Sequence, residues 1–135
     1  MENSRIKAFT LMELMIVVVL IGILSTIGMI MFGDTQDSAK KKVAEVSTSS
    51  IHLAQQEYIS NNGNYYYTSG GCSSSTTQQI ITDLFDGNKD LAEKDFYYCI
   101  IGDPNLNTFK ITAKNITTNC QVMRDEKNNI TDSGC

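Results

Sequence analysis

Residues 5–24 read RIKAFTLMELMIVVVLIGIL, and this stretch decides the architecture of the chain. Two cations, Arg5 and Lys7, precede a run that carries no charged residue from Leu14 to Phe32. About 20 apolar residues in a helix cross the ~30 Å hydrocarbon core of a bilayer. Cations before a span place its N-terminal end in the cytoplasm. The sequence therefore predicts a single-pass helix with the C-terminal domain outside the membrane.

One carboxylate, Glu13, lies at the start of the apolar run. A charged side chain at mid-membrane costs roughly 2.5–3.5 kcal/mol on insertion scales, so Glu13 needs a partner or a place near the surface. If the chain were cut before Phe9, the new α-amino group would lie one helical turn before Glu13 on the same face. The amine of a neighbouring copy could also neutralise the carboxylate, and Glu13 would then set the register of helices packed side by side.

The helical pattern continues beyond the apolar run, because residues 34–60 contain no proline. One helix is predicted from about residue 9 to about residue 60, ended by the Asn-Asn-Gly sequence at 61–63. Its first half is apolar all round, whereas its second half is expected to pack on a soluble domain through one face. That predicted inner face comprises Ala39, Val43, Val46, Ser50, Leu53, Ala54 and Tyr58.

Residues 61–94 are predicted as a loop, because Gly, Ser, Thr and Asn dominate its first part and the remainder shows no clear period. Tyr65–Tyr67 are the exception, and we interpret them as a cover for the long helix in preference to a binding patch. Strands are predicted after this loop at Phe96–Ile101, Thr108–Ala113 and Cys120–Arg124, with a fourth near Ile130.

The second predicted strand alternates, with Phe109, Ile111 and Ala113 facing the core. Strands that follow one another with short links form an antiparallel meander, here over residues 95–135. The fold class is therefore α+β, with the long helix packed on an antiparallel sheet of three or four strands.

Composition argues against several classes of function. The chain holds 11 Lys+Arg against 15 Asp+Glu, and the resulting net charge of −4 disfavours direct nucleic-acid binding. With a single histidine, His52, and no C-x-x-C pair, a zinc site is poorly supported. Asp86–Asp90 opens like a calcium loop, but Leu91 and Tyr97 stand where that loop needs glycine and glutamate. No nucleophile–base set is found, so we predict no cofactor, no metal and no enzyme activity.

The four cysteines all lie in the second half of the chain, at Cys72, Cys99, Cys120 and Cys135. An even number of widely spaced cysteines is typical of a cell-surface or periplasmic domain with disulfides. Four cysteines allow three pairings, and the spacing alone leaves all three open.

Residues 7–24, KAFTLMELMIVVVLIGIL, closely resemble the N-terminal sequence of type IV pilins and the related pseudopilins of type II secretion. In that family a prepilin peptidase removes a short basic leader and methylates the new N-terminal residue, usually Phe. The resemblance implies cleavage between Ala8 and Phe9, N-methylation of Phe9, and Glu13 as the assembly carboxylate. Two positions depart from the pattern: Ala8 replaces the usual Gly, and Ile30 replaces a helix-bending Pro.

The resemblance also implies the organisation of the chain: a leader at 1–8, a transmembrane and polymerisation half-helix at 9–33, and a globular head at 34–135. Such a protein is stored in the inner membrane and then assembled by the pilus machinery into a helical homopolymer on the cell surface. Of the three pairings, the resemblance favours Cys72–Cys99 and Cys120–Cys135, since many pilins have a C-terminal disulfide loop.

Two other functions stay open at this point. One is a pseudopilin of a type II secretion system. The other is a signal-anchored surface module that never polymerises and binds through the Tyr65–Tyr67 loop. Within the pilus hypothesis, major and minor subunits are both possible, as are adhesion, twitching motility and DNA uptake.

Overall fold

The computed structural model describes residues 9–91 and 93–135, with the backbone alone at residues 29–34. Between Asp37 and Ser38 the chain divides into two compact units. The α+β class and the four-stranded sheet are confirmed. The elements in chain order are α1 (Leu11–Asn62), α2 (Ser74–Phe85), β1 (Phe96–Asp103), β2 (Thr108–Asn115), β3 (Gln121–Asp125) and β4 (Ile130–Ser133).

The first unit contains the apolar part of α1. Its window Leu11–Gly28 has a mean hydropathy of 2.4 and is long and apolar enough to cross a membrane by length and composition. The two hydroxyls in this window bond within the helix: Ser25 Oγ donates to Ile21 O and Thr26 Oγ1 to Ile23 O, both at 2.7 Å. Because each hydroxyl has a local partner, neither raises the cost of placing this helix in lipid.

The second unit, the head, contains an antiparallel meander in the order β1-β2-β3-β4. Its register places Ile100 opposite Ile111 and Ala113 opposite Val122. The predicted alternation of β2 is confirmed, because Phe109, Ile111 and Ala113 are all buried. The core of the head lies on this face of the sheet.

The head half of α1 turns a different face to the core from the predicted one. Val43, Val46 and Leu53 are 46%, 66% and 67% exposed, and Ala39 is exposed as well. The predicted inner face is therefore wrong, and the helix is rotated about its axis relative to the expected orientation. The buried face comprises Ala44, Ser47, Thr48, Ile51 and Gln55.

Hydrogen bonds explain why polar side chains occupy this buried face. Gln55 Nε2 donates to Tyr66 O at 2.7 Å, and Gln55 Oε1 accepts from Tyr66 N at 2.9 Å. Arg124 on β3 donates through Nε to Thr48 Oγ1 at 3.3 Å and through Nη2 to Glu45 O at 3.1 Å. Burial of a polar group is costly mainly when the group is unpaired, so a search for apolar periodicity cannot find this face.

A second helix, α2, lies inside the segment 61–94 that the composition assigns to a loop. Ser73 caps it: Thr76 N donates to Ser73 Oγ at 3.3 Å, and Ser73 N donates to Thr76 Oγ1 at 2.9 Å. This reciprocal pair is a capping box, and Asp86 closes the other end of the helix in the left-handed conformation with φ 50°. The loop prediction is wrong here because the Ser and Thr residues typical of turns also cap helices.

Two buried threonines dock α2 on the sheet. Thr76 Oγ1 donates to Tyr98 O at 2.8 Å, and Tyr98 N donates to Thr77 Oγ1 at 2.9 Å. Further along β1, Thr68 N donates to Ile100 O at 2.9 Å and Ile100 N donates to Thr68 Oγ1 at 3.0 Å. The outer edge of β1 is therefore covered, which protects it from pairing with strands of other chains.

The tyrosines of the segment before α2 are partly buried against the core of the head. The rings of Tyr65 and Phe109 lie 4.5 Å apart, and those of Tyr66 and Tyr58 lie 5.6 Å apart. The first contact is with the sheet and the second with α1. These contacts favour the interpretation of Tyr65–Tyr67 as a cover over a free binding patch.

Candidate functional site

The first turn of α1 holds the candidate assembly carboxylate in a capping box. Glu13 N donates to Thr10 Oγ1 at 3.3 Å, and Glu13 Oε2 accepts from both the N and the Oγ1 of Thr10 at 3.4 Å. Each residue thus satisfies a backbone N–H of the other, in the pattern T-x-x-E that starts many helices. A carboxylate in the first turn also interacts favourably with the helix dipole.

Sequence analysis singles out Glu13 but misses the capping role of Thr10, although the T-x-x-E spacing before an apolar run is the signal for it. Glu13 is solvent-exposed in the single chain, as is the rest of the first turn. Its oxygens are therefore available to a second partner, and the local bond to Thr10 holds the carboxylate near the helix start.

Phe9 directly precedes this turn and is 79% exposed. Its partner in the predicted cleavage site, Ala8, lies outside the described residues. Thr10 N already donates to Glu13, and the nitrogen of Phe9 is only one residue further back. A free amine on Phe9 would thus lie close to the carboxylate of its own chain as well as being open to a neighbour.

After Glu13 the surface of the helix is purely apolar. A shallow depression is lined by Met12, Met15, Ile16, Val19 and Leu20. None of the side chains in the window Leu11–Gly28 is buried within the chain. The only cover that fits such a surface is lipid or other apolar side chains, since exposure of this area to water is unfavourable.

Comparison with protein families supplies the next observation: residues 3–29 match the model of the prokaryotic N-terminal methylation motif. The chain carries the hallmark of type IV pilins and pseudopilins. The motif implies processing by prepilin peptidase and assembly into a helical filament, and with the apolar helix it fits a membrane-anchored pilin before assembly. Searches of curated proteins and of solved structures gave no match.

The four cysteines form two disulfides in the head. Cys72–Cys99 joins the segment before α2 to β1, and Cys120–Cys135 joins the start of β3 to the residues after β4. Their Cα–Cα distances, 4.6 Å and 4.4 Å, lie at the short end of the usual range. The cysteines therefore fasten the periphery of the sheet and take no part in the first turn of α1.

Charged groups in the head fasten α1 to the sheet. Lys40 Nζ lies 3.1 Å from Asp95 Oδ1, and Lys41 is paired with Asp132 on β4. The hydrogen bond from Lys41 holds the pKa of the Asp132 carboxyl below its usual value and raises the pKa of Lys41. Both pairs lie at the surface, so they fix orientation more than they add stability.

His52 is half-buried, with its ring centre 5.5 Å from that of Phe109. Burial lowers the pKa of His52, and the positive charge of Arg124 lowers it further; a backbone hydrogen bond and the charge of Asp125 act in the opposite direction. Burial also lowers the pKa of Arg124, against the charge of Glu45. His52 thus belongs to the helix–sheet interface and is not near the first turn of α1.

The acidic segment after α2 serves structure. Asp86 terminates α2, and Lys89 Nζ donates to Ser50 Oγ at 3.2 Å. Over residues 9–91 and 93–135, no three His, Cys, Asp or Glu side chains lie together in a way that could hold a metal ion.

Proposed function

We propose that the chain is the structural subunit of a type IV pilus. The observation that carries this proposal is the methylation motif on a helix whose apolar side chains are all exposed, with Glu13 in its first turn. In this proposal, prepilin peptidase removes residues 1–8 by cleavage between Ala8 and Phe9 and then methylates Phe9.

The half-helix 9–33 has two environments in the proposed life of the protein. Before assembly, lipid of the inner membrane covers it. After extraction, the half-helices of neighbouring subunits cover one another and form the centre of the filament, while the head 34–135 faces the surroundings. A contact that repeats between two different surfaces with a rise along an axis gives an open helical polymer.

Glu13 sets the register of this packing. Its carboxylate pairs with the methylated amine of Phe9 in the next subunit, because an unpaired charge among apolar helices is strongly disfavoured. The capping bond to Thr10 supports the proposal, since it keeps the carboxylate oriented at the helix start while the chain waits in the membrane.

A pseudopilin of type II secretion would be processed in the same way and is the alternative within the family. Two disulfides in the head and the absence of a calcium-loop pattern at Asp86–Asp90 support the pilus. Surface filaments of the natural length distinguish the two, because a pseudopilus stays within the cell envelope.

The decisive measurement of processing is intact mass and N-terminal peptide mass spectrometry on protein sheared from the cell surface. We expect a chain that starts at N-methylated Phe9 and is four hydrogens lighter than its reduced form. A chain that still carries Met1, or that is cut well after Phe32, would contradict the proposal.

The role of Glu13 is tested by Glu13→Ala. Surface filaments should be lost while insertion into the membrane is retained, because the substitution removes the register contact and leaves the apolar helix intact. Glu57→Ala is the matched control, since Glu57 is an exposed glutamate in the head half of the same helix. If the Glu13 variant reached the cell surface in normal amounts, the chain would be an anchored module and not a filament subunit.

A further inference from the structure

The outward face of α1 in the head carries an apolar stripe formed by Val43, Val46 and Leu53. Their spacing of three and seven residues aligns them on one side of the helix, away from the core. Single exposed aliphatic residues are ordinary on protein surfaces, but an aligned set is typical of an interaction surface. The stripe belongs to the same helix as the apolar half that assembly would cover.

Two of these valines line a groove of about 370 Å³ on the head. Lys89 reaches into it: its Nζ donates to Ser50 Oγ at 3.2 Å and lies 5.9 Å from the centre of the Phe85 ring. The groove thus combines an apolar wall with ammonium groups, a chemistry that suits an apolar segment carrying a carboxylate. Its lining comprises Lys42, Val43, Val46, Ser47, Ser50, Lys89 and Asp90.

Symmetry restricts what can occupy this groove in a filament. If the stripe of one subunit packed on the stripe of another, the contact would be self-complementary and would close into a dimer. An open polymer needs a second, different surface on the same chain. In the described part of the head, the other exposed large aliphatic side chains are Ile101, Leu106, Ile116 and Ile130.

Only the first two of these share one surface feature, the β1–β2 hairpin. Ile101 and Leu106 are 53% and 72% exposed and lie on either side of Asp103. Asp103 Oδ1 accepts from Asn105 N at 2.9 Å, which fixes the turn that presents the carboxylate. The hairpin thus offers two aliphatic side chains around a carboxylate, the complement of valines beside lysines.

We propose that the β1–β2 hairpin of one subunit docks in the groove of the next and forms a head-to-head contact of the filament. Ile101 and Leu106 pack on Val43 and Val46, and Asp103 pairs with Lys89. The apolar contact supplies cohesion, and the charge pair selects the register. This inference rests on the proposed function and adds to it the surfaces that join the heads.

Charge reversal tests the pairing. Lys89→Glu and Asp103→Lys alone should each lower the yield of sheared filaments about tenfold or more, because like charges then face each other. The double variant should recover most of the yield, since the pair is restored with opposite sense. Lys127→Glu, at an exposed position outside both surfaces, should leave the yield unchanged. Single variants without effect, or a double variant no better than the worse single one, would overturn the inference.

Cross-linking tests the contact directly, because the four native cysteines are all in disulfides. A chain with both Val46→Cys and Leu106→Cys should give a ladder of covalent oligomers from oxidised filaments on a non-reducing gel. The pair Gln56→Cys and Leu106→Cys is the control on another face of α1. Filaments without a ladder would overturn this inference alone, whereas an unaltered protein that forms no filaments would overturn the proposed function together with it.

Discussion

The two parts of α1 use their side chains in opposite ways. In the window Leu11–Gly28, apolar side chains are exposed all round and none is buried in its own chain. In the head, the same helix exposes valines and a leucine while it buries Ser47, Thr48 and Gln55. Burial in the head follows hydrogen-bond partners, whereas the first part has no partner within the chain. The stability of one subunit therefore resides in the head, and the cohesion of many subunits resides in the apolar part.

The largest expected effect separates these two roles with a pair of isoleucines. Ile51 is fully buried in the head, so Ile51→Ala should lower the free energy of unfolding of the head by about 2–5 kcal/mol. Ile16 is exposed in the apolar part, so Ile16→Ala should leave that free energy unchanged. Denaturant unfolding of the detergent-solubilised full chain, followed by tyrosine circular dichroism, measures both.

The reverse ranking is expected for the filament, where Ile16→Ala should weaken resistance to heat or detergent. If Ile16→Ala destabilised the isolated subunit as much as Ile51→Ala, the division of roles between the two parts of α1 would be wrong.

The second effect concerns the covalent restraint of the head. Replacing Cys72 and Cys99 together by Ser should lower the free energy of unfolding by roughly 3.5 kcal/mol in the chain-entropy model for a loop of this length. The two residues are 27 apart in sequence, against 15 for Cys120 and Cys135. The second pair should therefore cost slightly less when replaced. Equal unfolding midpoints for the unaltered chain and the Cys72/Cys99 variant would show that this disulfide does not restrain the head.

The smallest effect is a dependence of head stability on pH through His52. Because burial holds the pKa of folded His52 below its ordinary 6.5, the unfolded chain binds a proton first as the pH falls. The free energy of unfolding should thus decline as the pH drops from 6.5 towards the lowered folded pKa, and His52→Gln should remove this part of the decline.

A second decline should begin near pH 3.8 and persist in the His52 variant. The folded pKa values of Asp125 and Asp132 lie below 3.8, so these carboxylates stabilise the head above that pH and lose their contribution as they are protonated. Unfolding midpoints measured across pH 3–8 for both proteins check the two windows, and an unchanged decline between pH 5 and 6.5 in the variant would exclude His52 as its cause.

Features that depend on local pattern were predictable from the sequence. The apolar run shows the candidate span, and the alternation at Phe109, Ile111 and Ala113 shows the inner face of β2, because both follow the geometry of one element. Glu13 is conspicuous since it is the charge that an apolar segment should lack. Its proposed role in assembly is a prediction that the experiments above test.

Features that depend on tertiary hydrogen bonds were not predictable in the same way. Nothing in the local sequence shows that Thr48 and Gln55 have partners on β3 and in the segment before α2. The spacing of Val43, Val46 and Leu53 is a good amphipathic pattern, but it marks a face that the single chain leaves uncovered. Likewise, Ser73 and Thr76 favour a turn and a helix cap equally, and packing on β1 decides between them.

Gln55 shows how narrowly one position can be specified. Its amide donates to the C=O and accepts from the N–H of Tyr66, as the backbone of a neighbouring strand would. Glutamate at this position has no amide donor, lysine has no acceptor, and asparagine is one methylene shorter. The position therefore tolerates fewer residues than most apolar core sites, where several aliphatic side chains of similar volume serve equally well. A hydropathy scale would class it with the freely variable polar surface, yet it is among the most constrained positions in the head.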